Sequence, residues 1–408
     1  MTRKMKDSGV EWIGMIPDGW NVVPAKLAFD EVQDVNKDGA VQKALKFKFG
    51  SIIPKTNFDS DDEYVAGTIT NYTIVNDGDI IVNGLNLNYD LKSLRVGLVR
   101  EKGVITSAYL ALRPRTQQIS SVFATYLLKG YETRMALHNM GYGIRKTLGF
   151  KEFKTQPILL PSLAEQNRIA GQLDAKCASI DGVIAKTNES IEEYKKLKQA
   201  VITEAVTKGV RGKRPMKDSG VDWIGQIPKE WDVVPLKYLC RMQSGKTLSS
   251  EQIASEGAYP VYGGNGLRGF FTEYNTEGQY LLVGRQGALC GNVHRVHGQF
   301  WATEHALITE CTHFSIMDFL FYLLIGMNLN QYASNSAAQP GLAAGAILNV
   351  KTSIVPLDEQ REIADYLDSK CAAIDTLISK KQQFIDELTA YKKSLIYEYV
   401  TGKKEVPA

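Results

Sequence analysis

A long amphipathic helix is written twice in this chain, and it constrains the fold more than any other feature. Residues 165–207 and 359–401 align without a gap at a constant offset of 194. In both copies the apolar positions recur in alternating steps of four and three, the spacing of a coiled-coil seam. The predicted seam residues are Leu173, Ile180, Ile184, Ile191, Leu367, Ile374, Ile378, Ile385 and Leu388.

These helices are too long to belong to a single small domain. At a rise of ~1.5 Å per residue, each would be on the order of 60 Å long. We therefore expect the two helices to pair with each other and to hold other domains apart. The alternative is two amphipathic helices that each pack on their own domain.

A second repeat shows that the whole chain is a tandem duplication. The segment from Met5 to Pro24 returns from Met216 to Pro235, at an offset of 211. Each copy of this leader is followed by a variable region and then by the long helix. The predicted segments are a first variable domain at 1–157, a first long helix at 158–209, a second variable domain at 210–354 and a second long helix at 355–408.

Both variable regions combine short strands with one helix. Apolar runs separated by Gly, Asn and Asp predict strands, among them 79–82, 96–99, 109–112, 280–283, 291–293, 300–302 and 306–308. Helical spacing follows at 121–140 and 317–332. The sequence thus predicts an α+β fold in which each domain has a small twisted sheet.

Charge distribution distinguishes the two domains. Between residues 40 and 155 there are 16 Lys and Arg against 10 Asp and Glu, whereas between 240 and 350 there are 5 against 7. If both domains bind DNA, phosphate neutralisation cannot be the whole explanation for binding by the second one. Five cysteines without close pairs and no apolar run near ~18 residues lead us to expect a reduced, cytoplasmic protein without a membrane span.

The sequence predicts neither catalysis nor a metal centre. The segment 264–269 has the glycine spacing of a dinucleotide-binding loop but lacks the buried strand before it and the helix after it. The segment 245–247 resembles the end of a phosphate loop whose first glycine is missing. The zinc candidates match no common ligand spacing; they are Cys290, His294, His297, His305, Cys311 and His313.

Polar side chains on glycine-flanked loops are the remaining candidates for a binding site. Asn and Gln can pair with adenine, and Arg with guanine, through two hydrogen bonds each. The candidates are Lys48, Lys55, Asn86, Lys92, Arg95, Arg145 and Lys146 in the first domain, and Lys246, Tyr262, Asn265, Arg268, Arg285 and Gln286 in the second. For Arg285, an ion pair with Glu304 is an equally open interpretation.

Over its whole length the chain resembles the specificity subunits of type I restriction-modification systems. The resemblance is carried by the leader at 7–14 with its copy at 218–225, and by Leu-Asp-x-Lys-Cys-Ala in both helices. It is also carried by the helix opening Pro-Leu-Asp-Glu-Gln at 356–360. The first copy, at 161–166, departs from this opening by one inserted residue.

The resemblance implies two target-recognition domains separated by an antiparallel coiled coil. Such a subunit would read a bipartite, asymmetric double-stranded DNA target whose spacer is set by the coiled coil. It would be non-catalytic and bind no cofactor itself. Two methyltransferase subunits would use S-adenosylmethionine to methylate adenine N6, and restriction subunits would use ATP and Mg²⁺. The competing interpretations are a coiled-coil adaptor without DNA specificity and a standalone DNA-modifying enzyme with unrecognised motifs.

Overall fold

The chain folds into two compact units. The computed structural model describes residues 3–55, 69–87, 94–140, 146–287, 290–334 and 341–406. Unit 1 comprises Met1–Thr187 with Gln383–Ala408, and unit 2 comprises Asn188–Gln382. Each unit therefore combines one leader and one variable domain with part of both long helices. No described helix is both long and apolar enough to cross a membrane.

Unit 1 is built mainly from short strands. The strands are β1 (Met5–Asp7), β2 (Met15–Pro17), β3 (Asn21–Pro24), β4 (Phe29–Glu31), β5 (Leu45–Lys48), β6 (Ser51–Pro54), β7 (Thr73–Val75), β8 (Ile80–Val82), β9 (Val96–Leu98), β10 (Gly103–Ile105), β11 (Leu110–Pro114) and β12 (Pro157–Leu160). The helices that begin in unit 1 are α1 (Ser121–Thr133), α2 (Ala136–Met140), α3 (Phe150–Phe153) and the long α4 (Leu163–Lys208).

Unit 2 repeats this plan with longer strands. They are β13 (Met216–Asp218), β14 (Gln226–Pro228), β15 (Asp232–Pro235), β16 (Cys240–Ser244), β17 (Tyr259–Gly263), β18 (Gly266–Phe271), β19 (Thr276–Gly284), β20 (Val293–Ala302), β21 (Ala306–Cys311) and β22 (Lys351–Ile354). Its helices are α5 (Met317–Gly326), α6 (Ala344–Leu348) and the long α7 (Leu357–Val400). Short 3-10 turns lie at Ala25–Leu27, Leu236–Tyr238, Ser250–Gln252 and Leu329–Tyr332.

The main sheets of the two units share one strand order. In unit 1 the four-stranded sheet runs β4-β11-β8-β9, and every pair in it is antiparallel. In unit 2 the six-stranded sheet begins with the equivalent order, β16-β21-β19-β20. It is then extended by β17, which lies parallel to β20, and by β18. The α+β prediction is confirmed, and an added hairpin distinguishes the second domain.

One strand in unit 2 was wrongly divided by the sequence analysis. The predicted strands at 291–293 and 300–302 are a single strand, β20. Gly298 within it has a φ of 87°, and it pairs across the ladder with Gly278, whose φ is 131°. A glycine pair in register bends both strands at the same place without ending either.

The core of each unit joins the sheet to both long helices. In unit 1, Val82 of β8 and Leu127 of α1 share a cluster with Leu173 of α4 and Val400 of α7. The cluster of unit 2 has the same composition: Val283 of β19, Leu323 of α5, Val206 of α4 and Leu367 of α7. The helices α1 and α5 therefore pack against the sheet of their unit on one side and against the long helices α4 and α7 on the other.

Within each unit the long helices run antiparallel. In unit 1, Glu165 at the start of α4 accepts a hydrogen bond from Trp20 Nε1 at 3.1 Å. Gly402, just past the end of α7, lies against the same ring, since a Cβ there would be 3.2 Å from Trp20. Farther along, Lys392 Nζ lies 2.6 Å from the Asp181 carboxylate. The start of one helix thus meets the end of the other, as predicted for the coiled coil.

Unit 2 shows the same antiparallel contacts. Arg211, past the end of α4, binds Asp358 at 2.7 Å and Glu362 at 2.8 Å near the start of α7. Lys198 Nζ lies 2.7 Å from Asp375. The predicted seam residues face inward in both units. Leu173, Ile191, Leu367, Ile374 and Ile385 are buried, and Ile180, Ile184, Ile378 and Leu388 are half-buried.

The repeated Glu-Gln pair at the start of each long helix anchors that helix to its own unit. Glu359 accepts a hydrogen bond from Trp231 Nε1 at 3.1 Å, which repeats the bond between Glu165 and Trp20. A capping box at Ser162 is therefore only half formed. Its hydroxyl accepts from the Glu165 N–H at 3.3 Å, while the Glu165 carboxylate binds the leader.

The glutamine of each pair holds the helix that follows the sheet. Gln166 accepts from the Ser120 N–H at 2.8 Å and donates to the Gln118 carbonyl at 3.0 Å. Gln360 likewise accepts from the Ile316 N–H at 2.9 Å. Both glutamines are fully buried. A buried amide with its hydrogen bonds made fixes the position of the domain on the long helix.

Candidate nucleic-acid interface

A polar loop occupies the same place in both units. Loop 1 (residues 83–87 and 94–95 of the described chain) follows β8. Loop 2 (residues 285–287 and 290–292) follows β19, the equivalent strand of the shared sheet order. At the base of loop 1 the Asn83 N–H donates to the Arg95 carbonyl at 2.8 Å. At the base of loop 2 the Gly284 N–H donates to the Asn292 carbonyl, also at 2.8 Å. The two loops are structural counterparts with different side chains.

Both loops are fixed by the segment that leads into the next short helix. The Leu148 N–H donates to the Gly84 carbonyl at 2.9 Å, and the Leu342 N–H donates to the Arg285 carbonyl at 2.8 Å. A Cβ at Gly84 would lie 2.4 Å from the Leu148 carbonyl oxygen, so only glycine permits this approach. Loops held in this way present their side chains on a rigid scaffold.

Two of the residues predicted in unit 1 lie side by side. Asn86 on loop 1 and Lys146 are both exposed, and the Leu87 N–H donates to the Lys146 carbonyl at 3.1 Å. Asn86 has a φ of 51° and Lys146 a φ of 37°. The left-handed region is uncommon for side-chain-bearing residues, above all for lysine, and such strain concentrates at functional sites.

The other cations predicted in unit 1 divide between a hairpin and undescribed positions. Lys48 and Lys55 are exposed at the two ends of the β5–β6 hairpin, an element separate from loop 1. Lys92 and Arg145 lie outside the described residues. Their predicted contacts with DNA stay predictions.

Arg95 does not lie at the surface predicted for it. Its side chain is only 1% exposed. Its Nη1 donates to the Asn83 carbonyl at 2.9 Å and to the Leu85 carbonyl at 2.8 Å. Both bonds are made to the first residues of loop 1. The prediction that Arg95 contacts DNA directly is therefore corrected, because buried donors already bound to the loop backbone are not presented to a base or phosphate.

In unit 2 a cleft collects three of the predicted residues. Its volume is about 390 Å³, and Asn265, Arg268 and Gln286 line it. All three side chains are exposed, and Asn265 Oδ1 accepts a hydrogen bond from Asn292 Nδ2 at 3.2 Å. The cleft therefore joins loop 2 to the turn at Asn265.

The hairpin formed by β17 and β18 shows that two side chains were placed on the wrong kind of element. Tyr262 lies on β17 and Arg268 on β18, although the sequence predicted a glycine-rich loop throughout. Tyr262 is half-buried and packs edge-to-face on Phe300 with a centroid distance of 5.6 Å, which makes it part of the small core. Alternating glycines disguised a strand pair here, because glycine is a weak strand former.

Arg285 and Lys246 lie at the edge of the same region. Arg285 Nη1 donates to Ser244 Oγ at 2.9 Å, whereas Glu304 lies 3.3 Å from His305. The polar contact of Arg285 is thus with the end of β16. Lys246 is exposed and, with Ser244, lines a neighbouring cleft of about 290 Å³.

The arrangement suits recognition of base edges. Amide and guanidinium groups converge in one cleft and supply both donors and acceptors.

His305 also lines the cleft, although it was considered only as a zinc ligand. Burial lowers the pKa of His294, whose ring lies behind the turn at Gly266. Among the described residues, no group of three or more His, Cys, Asp or Glu side chains is placed to hold a metal ion.

Comparison with known proteins shows which family the chain resembles. Residues 228–387 match the family described as type I restriction modification DNA specificity domain. The chain is 42% identical over 163 residues to the EcoprrI specificity subunit of Escherichia coli, an alignment that covers 39% of this chain and 38% of that subunit. It is 28% identical over 359 residues to the MjaVIII specificity subunit of Methanocaldococcus jannaschii, covering 82% and 80% of the two chains. Residues 228–387 thus carry a type I restriction modification DNA specificity domain, and most of the chain is similar to specificity subunits of type I restriction-modification systems.

A solved structure supports the fold independently. A chain from work on complex assembly and conformational transition of the type I restriction-modification system matches with a TM-score of 0.68. The match covers 95% of this chain and 99% of that chain at 15% identity. The predicted fold class is confirmed. The relatives are named specificity subunits, that is, recognition components, and on that ground the expectation that the chain is not an enzyme is confirmed.

Proposed function

We propose that this specificity subunit reads a two-part, asymmetric target in double-stranded DNA, one part with each unit. The observation that carries the proposal is the pair of equivalent loops. Loops 1 and 2 leave the same strand of the same sheet order and are fixed by the same backbone contacts, yet they carry different side chains. A common frame with unlike readers is suited to unlike half-sites.

The two readers differ in chemistry. In unit 2, the amides of Asn265 and Gln286 suit adenine and the guanidinium of Arg268 suits guanine. In unit 1 the exposed candidates are Asn86 and lysines, which suit phosphates as well as bases. Since the second domain has a slight acidic excess, much of the phosphate affinity there comes from partner subunits.

The partners supply the chemistry. Two methyltransferase subunits dock on the duplicated frame and methylate adenine N6 with S-adenosylmethionine, which requires the base to leave the stack. Restriction subunits join them and use ATP and Mg²⁺. The specificity subunit itself contributes recognition and the scaffold.

The experiment is co-expression with the cognate methyltransferase subunit, followed by mapping of N6-methyladenine across the host genome. The expected result is a new two-part motif. Gln286→Ala should relax one half of the motif and Asn86→Ala the other, because each removes the base contact of one reader. Gln33→Ala, at an exposed glutamine just after β4 and on neither loop, is the matched control and should leave the motif unchanged. A stable complex that produces no motif would refute the proposal and would favour a scaffold without DNA specificity.

A further inference from the structure

Arg95 is a buried charged side chain that binds the start of its own loop. Its Nη1 binds the carbonyls of Asn83 and Leu85, and its own carbonyl accepts from the Asn83 N–H. Side chain and backbone therefore close the first residues of loop 1 into a ring of hydrogen bonds. Charge-assisted bonds to carbonyl groups are strong and directional, and a guanidinium can satisfy two carbonyls at once.

Glu132 holds Arg95 from the opposite side. Its Oε1 accepts from the Arg95 backbone N–H at 2.5 Å. Glu132 lies in the last turn of α1 and is 9% exposed. A carboxylate is unfavourable there on two counts, because it is buried and because it lies at the negative end of the helix dipole. Burial raises the pKa of Glu132 to about 7. Such a side chain suits a positioning role better than a stabilising one.

The counterpart loop in unit 2 is closed without an arginine. Asn292 occupies the place of Arg95, and Gly284 that of Asn83. The Gly291 N–H donates to the Gly284 carbonyl at 2.8 Å, so backbone groups make the bond that the guanidinium makes in unit 1. The side chain of Asn292 points instead to Asn265 in the cleft. Of the two loops, only loop 1 has its carbonyls bound by an arginine side chain.

We propose that Arg95 and Glu132 form a positioning pair that sets the conformation of loop 1 and thereby the bases accepted in one half of the target. This inference rests on the proposed function. Asn86, an exposed residue of loop 1, directly follows Leu85, whose carbonyl Arg95 binds. A shift of that carbonyl moves Asn86 relative to the DNA. The half-site read by unit 2 is independent of the pair.

The test is the methylation map of the complex carrying Arg95→Lys. Lysine keeps the charge but cannot bind two carbonyls in the planar arrangement of a guanidinium. We expect methylation at sites mismatched in one half to rise by about tenfold or more, with the other half unchanged. Glu132→Gln keeps an acceptor oxygen and removes the charge. It should relax the same half by a smaller factor, and it decides the matter if Arg95→Lys does not assemble.

Two controls separate positioning from loss of stability. Arg115→Lys makes the same chemical change at an exposed arginine bound to Asp30. Val104→Ala weakens the core of unit 1 away from loop 1. Both should keep the wild-type motif. If Arg95→Lys and Glu132→Gln also keep it, or only slow methylation at the same motif as Val104→Ala does, the positioning role is refuted. If the wild type itself yields no two-part motif, the proposed function fails instead.

Discussion

Glu132 is a buried carboxyl group of unit 1 whose protonation state changes with pH near neutrality. Burial raises its pKa, opposed by the N–H and charge of Arg95 and by the charges of Lys129 and Lys393. Lys129 lies on α1 with Glu132, and Lys393 approaches from α7. Glu132 and His138 of α2 both line a cavity of about 660 Å³ in unit 1. The group thus titrates near neutrality with ionisable neighbours from several elements.

This raised pKa makes the stability of unit 1 depend on pH. A carboxyl with a pKa of about 7 when folded and 4.5 when exposed binds its proton more tightly in the folded state. The free energy of unfolding should therefore fall as pH rises from about 4.5 to about 7, by at most roughly 3 kcal/mol. Glu132→Gln should abolish that fall in urea denaturation compared at about pH 5 and about pH 8. Glu11→Gln, at an exposed glutamate, should leave it; parallel curves for wild type and Glu132→Gln would contradict the assignment.

Residue roles were predictable where chemistry alone fixed them. Asn265, Arg268 and Gln286 were selected as exposed polar groups near glycines, and the structure brings them together in one cleft. Arg95 was misplaced because its burial depends on how the first residues of loop 1 bind it. The roles of the Glu-Gln pairs were also missed. The partners that join them to the leader and to the helix after the sheet lie more than 40 residues away in sequence, and no local pattern points to those distances.

At the scale of elements, a glycine decides how closely a domain packs on the long helices. Gly130 of α1 faces Val400 of α7, and a Cβ there would lie 2.7 Å from Val400 Cγ2. Gly326 of α5 faces Val206 of α4 with a corresponding distance of 2.8 Å. The two contacts are equivalent, so both units use a missing side chain to bring two helices together.

Gly130→Ala should destabilise unit 1 in spite of the higher helix propensity of alanine. Replacing a glycine within a helix by alanine raises the free energy of unfolding by about 1 kcal/mol. Overpacking against a stiff valine lowers it by about 1–3 kcal/mol. We expect a lower unfolding midpoint, partly restored in the double variant with Val400→Ala. Gly182→Ala is the matched control, because a Cβ at this helical glycine meets nothing within 4 Å, and it should be neutral or stabilising. A Gly130→Ala protein more stable than wild type would overturn the packing argument.

Elements with a clear hydrophobic pattern were predictable from the sequence. The glycine-rich hairpin and the order of the strands were not. The heptad spacing predicted α4 and α7, and alternating apolar runs predicted β8, β9 and β11 close to their observed bounds. The β17–β18 hairpin was missed because its glycines imitate a loop. Strand order could not be predicted either, since it is set by contacts between distant segments.

At the scale of the molecule, each long helix belongs to both units. The division falls after Thr187 in α4 and after Gln382 in α7. Neither helix can change length alone without shifting its pairing with the other, because the two are bound by ion pairs in both units. If the target has two parts, as proposed, the gap between them should follow from this shared pair of helices.

One heptad inserted into both helices, after Thr187 and after Gln382, should therefore lengthen the gap and leave both half-sites unchanged. Seven residues add roughly 10 Å, or about three base pairs of DNA. The methylation map of the co-expressed complex measures both quantities at once. A scrambled insertion of the same length that lacks apolar seam residues is the control and should weaken assembly. Altered half-sites with an unchanged gap would show that the helices do not set the spacing.

The anchoring glutamines also bear on how such a chain evolves. Each binds the backbone of its domain rather than a side chain, so the bonded positions are free to differ. Ser120 and Gln118 in unit 1 correspond to Ile316 and Phe314 in unit 2, and the hydrogen bonds are the same. A domain acquired by recombination would meet a docking site that binds its backbone and does not depend on its side chains. New DNA targets can then arise by exchange of whole domains between genes, without compensating mutations in the frame.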